Sequence, residues 1–234
     1  MIDLIYKQCC SLALQFLPKV VILDMEMAAI NAFETYFDDT EVQLCHFHWA
    51  QAVYRQIAEK GLKTFYSDSN SEIGKWLKLF FGLPLLPASE VQDAFAEDIM
   101  SDASQDQNVE NFTDYVFETY IKNDARYPPS TWARMPDDTQ IPTTTNGAEA
   151  FHRHFKKCFQ SAHPNIYALA KELLRLQEET YVKLCSGNRE KLSRSTTLQR
   201  REKIYDICSQ FRAGQSTRVQ YLREISFKCL PAQM

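Results

Sequence analysis

The amino-acid sequence predicts a helix-rich α/β fold. Three observations carry this. Four apolar, mostly β-branched residues, Val20-Val21-Ile22-Leu23, run directly into Asp24, and a helical pattern follows from Met25 to Phe37. A second apolar run, Val42 to Leu44, leads into a helix that opens with Cys45-x-x-His48 and ends near Lys60-Gly61. Most of the remaining chain carries helical rather than alternating periodicity.

Taken in order, Ile2, Ile5, Cys9, Leu12, Ala13 and Phe16 fall on one helical stripe that Pro18 ends. The strand Val20–Leu23 follows. Its crossover helix is expected to turn Ala28, Ala29, Ala32, Phe33 and Tyr36 inward, which suits a parallel βαβ unit. In the next helix Ala50, Val53, Tyr54 and Ile57 form the apolar stripe, while His48, Gln51 and Arg55 share another face. From Gly61 to Ile121 the pattern is helical with breaks: Gly82-Leu83-Pro84 ends one helix, Ser89 with Gln92 reads as a capping box, and Val109, Phe112, Val116 and Tyr120 mark another helix. A Pro-rich loop holding Trp132 runs from Lys122 to Thr145. Asn146 opens a helix striped by Ala148, Phe151, Phe155 and Phe159. A long helix runs from about Asn165 to Leu184, and basic helices finish the chain. The organisation expected is residues 1–60 as a partial α/β core, 61–145 as a helical insertion and loop, and 146–234 as the helix of Glu149 plus the basic C-terminal helices. A two-stranded sheet is not stable alone, so neighbouring strands are expected upstream of the first helix.

The 234 residues suffice for one or two domains with a real core. A hydrophobic share of 45% and a charged share of 24% are ordinary for a globular protein, and 12% aromatic residues argue against disorder. No apolar run is long enough to span a bilayer, and Asp3 and Lys7 interrupt any signal-peptide pattern. Seven cysteines without paired spacings fit a reducing compartment. The net charge of −4 hides an asymmetry. Between Glu90 and Asp124 the acids, among them Glu97, Asp98 and Asp102, meet Lys122 as the single basic residue. The C-terminal segment reverses this with Arg189, Lys191, Arg194, Arg200, Arg201, Lys203, Arg212, Arg218, Arg223 and Lys228. Such a division reads either as a basic face for a polyanion or as two solvated helix faces.

Each residue suited to chemistry has two readings. Asp24 closes a strand and precedes a helix, so it is either an N-cap or a metal-binding carboxylate. Glu149 completes a capping box with Asn146, or it shares a divalent cation with Asp24. Cys45 and His48 read as half of a zinc site with His152 and His154, or as a buried thiol beside a polar histidine. Cys45 as a nucleophile has no evident oxyanion hole beside it.

Three sequence elements, in this order, resemble one family. They are Asp24-x-Glu26-x-Ala28, then Cys45-His46-Phe47-His48-x-x-Gln51-x-x-x-Arg55, then Trp132 followed by Thr145-Asn146-x-x-Glu149-x-x-His152. Together they resemble the transposase domain of Mutator-like elements, in the DDE superfamily with an RNase H-like core. The resemblance implies that the chain is the C-terminal part of such a core with a helical insertion at Gly61 to about Ile121. It implies Asp24 and Glu149 as the second and third catalytic acids, holding Mg²⁺ or Mn²⁺ for strand cleavage and joining. It implies that His48 and Arg55 support the site or bind DNA; by their charge, Arg153, Lys156, Lys157, Arg200 and Arg201 are expected on the phosphate-facing side. DNA is the implied partner, a homo-oligomer the implied assembly and the nucleus the implied location. The family's first acid belongs on a strand ahead of Ile2–Phe16, and Asp3, inside that helix, is no substitute. Gly147 stands where the family has a second Asn, and no zinc-finger DNA-binding module is present. The expectation is therefore a catalytically incomplete fragment or host-adopted remnant. The rival is a non-catalytic DNA-binding or protein-interaction module that retains the scaffold.

Overall fold

The computed structural model describes residues 2–136, 145–159, 161, 163–186 and 195–230. Arg189, Lys191 and Arg194 lie outside the described residues, as does the loop segment 137–144. The chain separates into two compact units, one formed by 1–144 with 199–234 and the other by 145–198. The basic C-terminal helices thus group with the N-terminal part rather than with the helix of Glu149.

The first unit opens with α1 (Ile2–Ser11), then β1 (Val20–Leu23), α2 (Met27–Tyr36), β2 (Glu41–Leu44) and α3 (His46–Glu59). The strands pair in parallel, with Val20 opposite Glu41 and Leu23 opposite Leu44, and form a two-stranded sheet among the described residues. The parallel βαβ unit is as its sequence pattern predicts. The stripe on α2 is not: Ala28 and Tyr36 are exposed, and Ile30 is its buried residue. The stripe expected on α1 buries nothing, and Leu4, Ile5, Leu12, Leu14, Phe16 and Leu17 are exposed.

The core lies instead against α3 and the helical insertion. Trp49, Ala50, Val53 and Ile57 of α3 are buried. After α4 (Lys63–Ser67) and α5 (Glu72–Leu79) the chain tightens into a wholly buried 3₁₀ run, Phe80–Leu85. The α-helix ahead of Gly82 ends at Leu79, and the 3₁₀ run carries Pro84 inside it. The capping box expected at Ser89 is not formed. α6 (Val91–Asp93) continues in wider π turns through Ala94–Ile99, and its N-cap position is Glu90, with no side-chain cap. The amide of Gln92 is drawn away to the Ile121 carbonyl at 2.9 Å and Asn123 Oδ1 at 2.8 Å. α7 (Gln107–Val116), capped by Asp106, continues to Ile121 and buries Val109, Phe112, Val116 and Tyr120 as its spacing predicts. α8 (Pro129–Trp132) ends with Trp132 stacked on Trp49, ring centroids 5.0 Å apart.

In the second unit α9 (Asn146–Lys157) and α10 (Ile166–Cys185) follow, α10 capped by Asn165, whose side chain accepts from the Ala168 N–H at 2.9 Å. α11 (Ser195–Arg212) leads back to the first unit, where α12 (Arg218–Cys229) starts in a Thr217–Gln220 capping box. α12 lies on the 3₁₀ run. The Tyr221 hydroxyl donates to the Leu85 carbonyl at 2.6 Å and Ser226 Oγ to the Leu79 carbonyl at 3.2 Å. The approach is close enough that a Cβ on Gly82 would stand 2.6 Å from Ser226 Oγ and 3.0 Å from Ile225. Gly82→Ala is expected to destabilise the first unit by about 1–3 kcal/mol through overpacking. Urea unfolding of the two proteins measures it, and an unchanged midpoint would show that α12 does not sit this close.

Candidate functional site

In a parallel pair both strands end at the same edge, so the Leu23–Leu44 register sets Asp24 and Cys45 side by side. The ladder extends one step further, with the Cys45 N–H donating to the Leu23 carbonyl at 2.8 Å. The Asp24 carboxylate accepts from the Met25 N–H at 2.7 Å, and the Asp24 carbonyl accepts from the Glu26 N–H at 2.8 Å. These bonds make a tight turn before α2. The helix starts at Met27, and its N-cap residue is Glu26, which makes no side-chain cap. Asp24 is therefore no N-cap. Its side chain is 61% exposed at the strand end.

His48 comes to Asp24 from the first turn of α3, with Nδ1 3.3 Å from Asp24 Oδ1. The Cys45-x-x-His48 spacing explains the placement: Cys45 ends β2 at the N-cap position of α3, and three residues of helix bring His48 over the neighbouring strand end. Cys45 is wholly buried, which closes its thiol to a substrate. Gln51 is half-buried and Arg55 exposed further along α3.

Tyr127 was not anticipated from the sequence. Its hydroxyl donates to the Met25 carbonyl at 2.8 Å, from 102 residues away. Its ring stacks on Tyr120, and its own carbonyl accepts from Trp132 Nε1 at 2.9 Å. No local signal marks it, because its partner is a backbone atom on a remote segment.

His46 is the second residue without a sequence signal. Burial pushes its imidazole down to about 4, with the Arg200 guanidinium acting in the same sense and the Phe81 carbonyl against it. The same region holds Cys229, whose thiol burial pushes up to about 12, and the buried Cys208–Tyr221 pair at 3.4 Å.

Glu149 belongs to the second unit, so its relation to Asp24 is not part of either unit's internal geometry. α9 begins one residue earlier than expected. Thr145 is its N-cap position, Asn146 is already helical, and the Thr145 hydroxyl donates to Glu149 Oε1 at 3.0 Å. The Asn146–Glu149 capping box is thus replaced by a side-chain pair one helical turn apart. His152 and His154 are exposed on α9. Among the described residues no group of three or more His, Cys, Asp or Glu side chains is arranged to hold a metal. The strand end itself offers one exposed carboxylate, Asp24, beside the His48 imidazole.

The basic residues divide into two groups. Arg218 pairs with Glu97 at 2.7 Å and with Asp98, and Arg223 lies 3.8 Å from Asp102. Arg200 donates to the Lys228 carbonyl and Arg212 to the Pro136 carbonyl. Arg200 thus ties α11 to α12, and Arg212 and Arg218 tie these helices to earlier parts of the first unit. Arg153, Lys156 and Lys157 on α9, and Arg201 and Lys203 on α11, are exposed.

Comparison with protein-family models, curated proteins and solved structures returns no match for the chain.

The depressed His46 gives stability that is complete above the ordinary histidine range and is lost as pH falls from about 6.5 through about 4. The unfolded chain takes up the proton first, so acid favours unfolding. The urea midpoint is expected to fall between pH 7 and pH 4.5, and to fall less steeply in His46→Gln. Parallel pH profiles of the two proteins would refute the assignment.

Proposed function

We propose that this chain is a Mutator-like transposase domain, the acid-bearing part of an RNase H-like core, and that its partner is DNA in the nucleus. The observation that carries the reading is the approach of His48 to Asp24 at 3.3 Å. The two residues that define separate elements of the resemblance meet at the end of a parallel strand pair, on a carboxylate that caps no helix. In this reading Asp24 and Glu149 are the carboxylates that hold Mg²⁺ or Mn²⁺. The bound metal would neutralise charge on a phosphodiester under attack. His48 orients Asp24. Exposed Arg55, Arg153, Lys156, Lys157 and Arg201 hold phosphates, whereas Arg200 also serves the Lys228 carbonyl. The proposal concerns binding of metal and of DNA by these residues.

Two measurements test it. DNA binding is expected to weaken steeply with salt, because each phosphate contact releases counterions. Replacing Arg153, Lys156 and Lys157 together by Glu is expected to reduce affinity by roughly tenfold or more and to flatten the salt slope alike for all sequences. Mn²⁺ titration followed by electron paramagnetic resonance is expected to show a weak site that Asp24→Asn removes. Salt-independent binding, or none at low salt, would refute the DNA reading, and Mn²⁺ binding unchanged in Asp24→Asn would refute the metal reading. The rival, a protein-interaction module, is favoured by the apolar side chains that α10 leaves exposed, including Tyr167, Leu174, Tyr181 and Leu184.

A further inference from the structure

We infer that Tyr127 is a positioning residue for Asp24. The inference deepens the metal reading above and rests on it. Asp24 has no helix to hold it, since α2 starts at Met27. Its direction depends on the turn through Met25 and Glu26, whose internal bonds are Glu26 N–H to the Asp24 carbonyl and Met25 N–H to the carboxylate itself. A turn this short, half-exposed at a strand end, opens easily unless something outside it holds the backbone. The Met25 carbonyl is that point of attachment, and the Tyr127 hydroxyl is the donor that reaches it, at 2.8 Å.

Tyr127 is itself rigid. It is buried, stacked on Tyr120 with centroids 6.0 Å apart, and covered by the Arg126 guanidinium at 5.3 Å. Its N–H donates to the Thr119 carbonyl at 3.1 Å, and its carbonyl accepts from Trp132, which stacks on Trp49 of α3. One aromatic cluster therefore anchors both partners of the site. Trp49, one residue after His48, fixes the start of α3, and Tyr127 fixes the turn that aims Asp24. Holding both groups by the same cluster keeps His48 Nδ1 in reach of the carboxylate, which is what preorganises a weak cation site.

The test is Tyr127→Phe in the full chain, which removes one hydroxyl and leaves the ring. Tyr115→Phe is the control, because the Tyr115 hydroxyl meets only the Tyr120 hydroxyl in the same cluster, at 3.5 Å. Hydrogen exchange at the Glu26 amide is expected to quicken by roughly fivefold or more in Tyr127→Phe, the scale of one lost hydrogen bond. Exchange in α7 is expected to stay as in the wild type. Mn²⁺ affinity is expected to fall several-fold in Tyr127→Phe and to be unchanged in Tyr115→Phe. A purely structural role would lower the unfolding midpoint and leave Mn²⁺ affinity unaltered, which overturns the inference. If Mn²⁺ binding is absent in the wild type, or is indifferent to Asp24→Asn, the metal reading fails. The Glu26 amide then decides alone: faster exchange in Tyr127→Phe keeps Tyr127 as the residue that positions Asp24, and unchanged exchange refutes it. Failure of Tyr127→Phe to fold would mark the hydroxyl as purely structural and likewise overturns the inference.

Discussion

Trp49 stacks on Trp132 with ring centroids 5.0 Å apart, and the short sheet depends on that contact. Two strands of four residues each bury too little to persist alone. Here β2 ends in α3, and α3 is held by aromatic rings from beyond the insertion: Trp132 against Trp49, Tyr120 against both, and Tyr127 against Tyr120. Each buried ring contributes on the order of 1.5–3 kcal/mol by removal from water, before any gain from ring geometry. The sheet is thus stabilised from one side, by helices that come later in the chain. α1 and the segment after it add the rings of Tyr6 and Phe16 against buried Phe37, while Leu4, Leu12, Leu14 and Leu17 are exposed.

The C-terminal return completes this core by close backbone approach. Gly82 lets α12 sit against the 3₁₀ run, and Tyr221, Ser226 and Cys229 fill the interface with few exposed atoms. Charge then acts at its rim. Arg218 bridges Glu97 and Asp98, so acidic and basic segments far apart in sequence neutralise each other where they meet. Arg218 and Asp98 are half-buried and Glu97 is exposed, and the pairing takes Arg218 out of service to any polyanion. Within the first unit the exposed basic residues are accordingly fewer than composition suggests and include Arg55 of α3 and Arg201 and Lys203 of α11.

The site itself follows from strand direction. Parallel strands deliver Asp24 and Cys45 to one edge, one exposed and one buried, and the first turn of α3 lays His48 beside the acid. Glu149 is arranged separately, on the first turn of α9 with Thr145 bonded to its carboxylate. Each acid is already held by a local partner within its own unit.

What the sequence by itself determined is what local periodicity and capping control. The βαβ unit, Ala50, Val53 and Ile57 on the buried face of α3 though not Trp49, the stripe of α7 and the Asn165 start of α10 were legible, because local periodicity and capping mark them. The pairing of His48 with Asp24 was legible as an orientation, since Cys45-x-x-His48 turns the histidine towards the strand end. Only the tertiary structure decided that Asp24 caps no helix, because that depends on a turn whose carbonyl is held by Tyr127 from 102 residues away. It decided likewise that Gln92 leaves its expected capping role for the Ile121 carbonyl. It decided that Arg218 answers Glu97 and Asp98 rather than solvent, and that His46 is kept neutral by burial. The physical reason is common to all four: each depends on a group distant in sequence that comes close in the fold, and that is a property of packing.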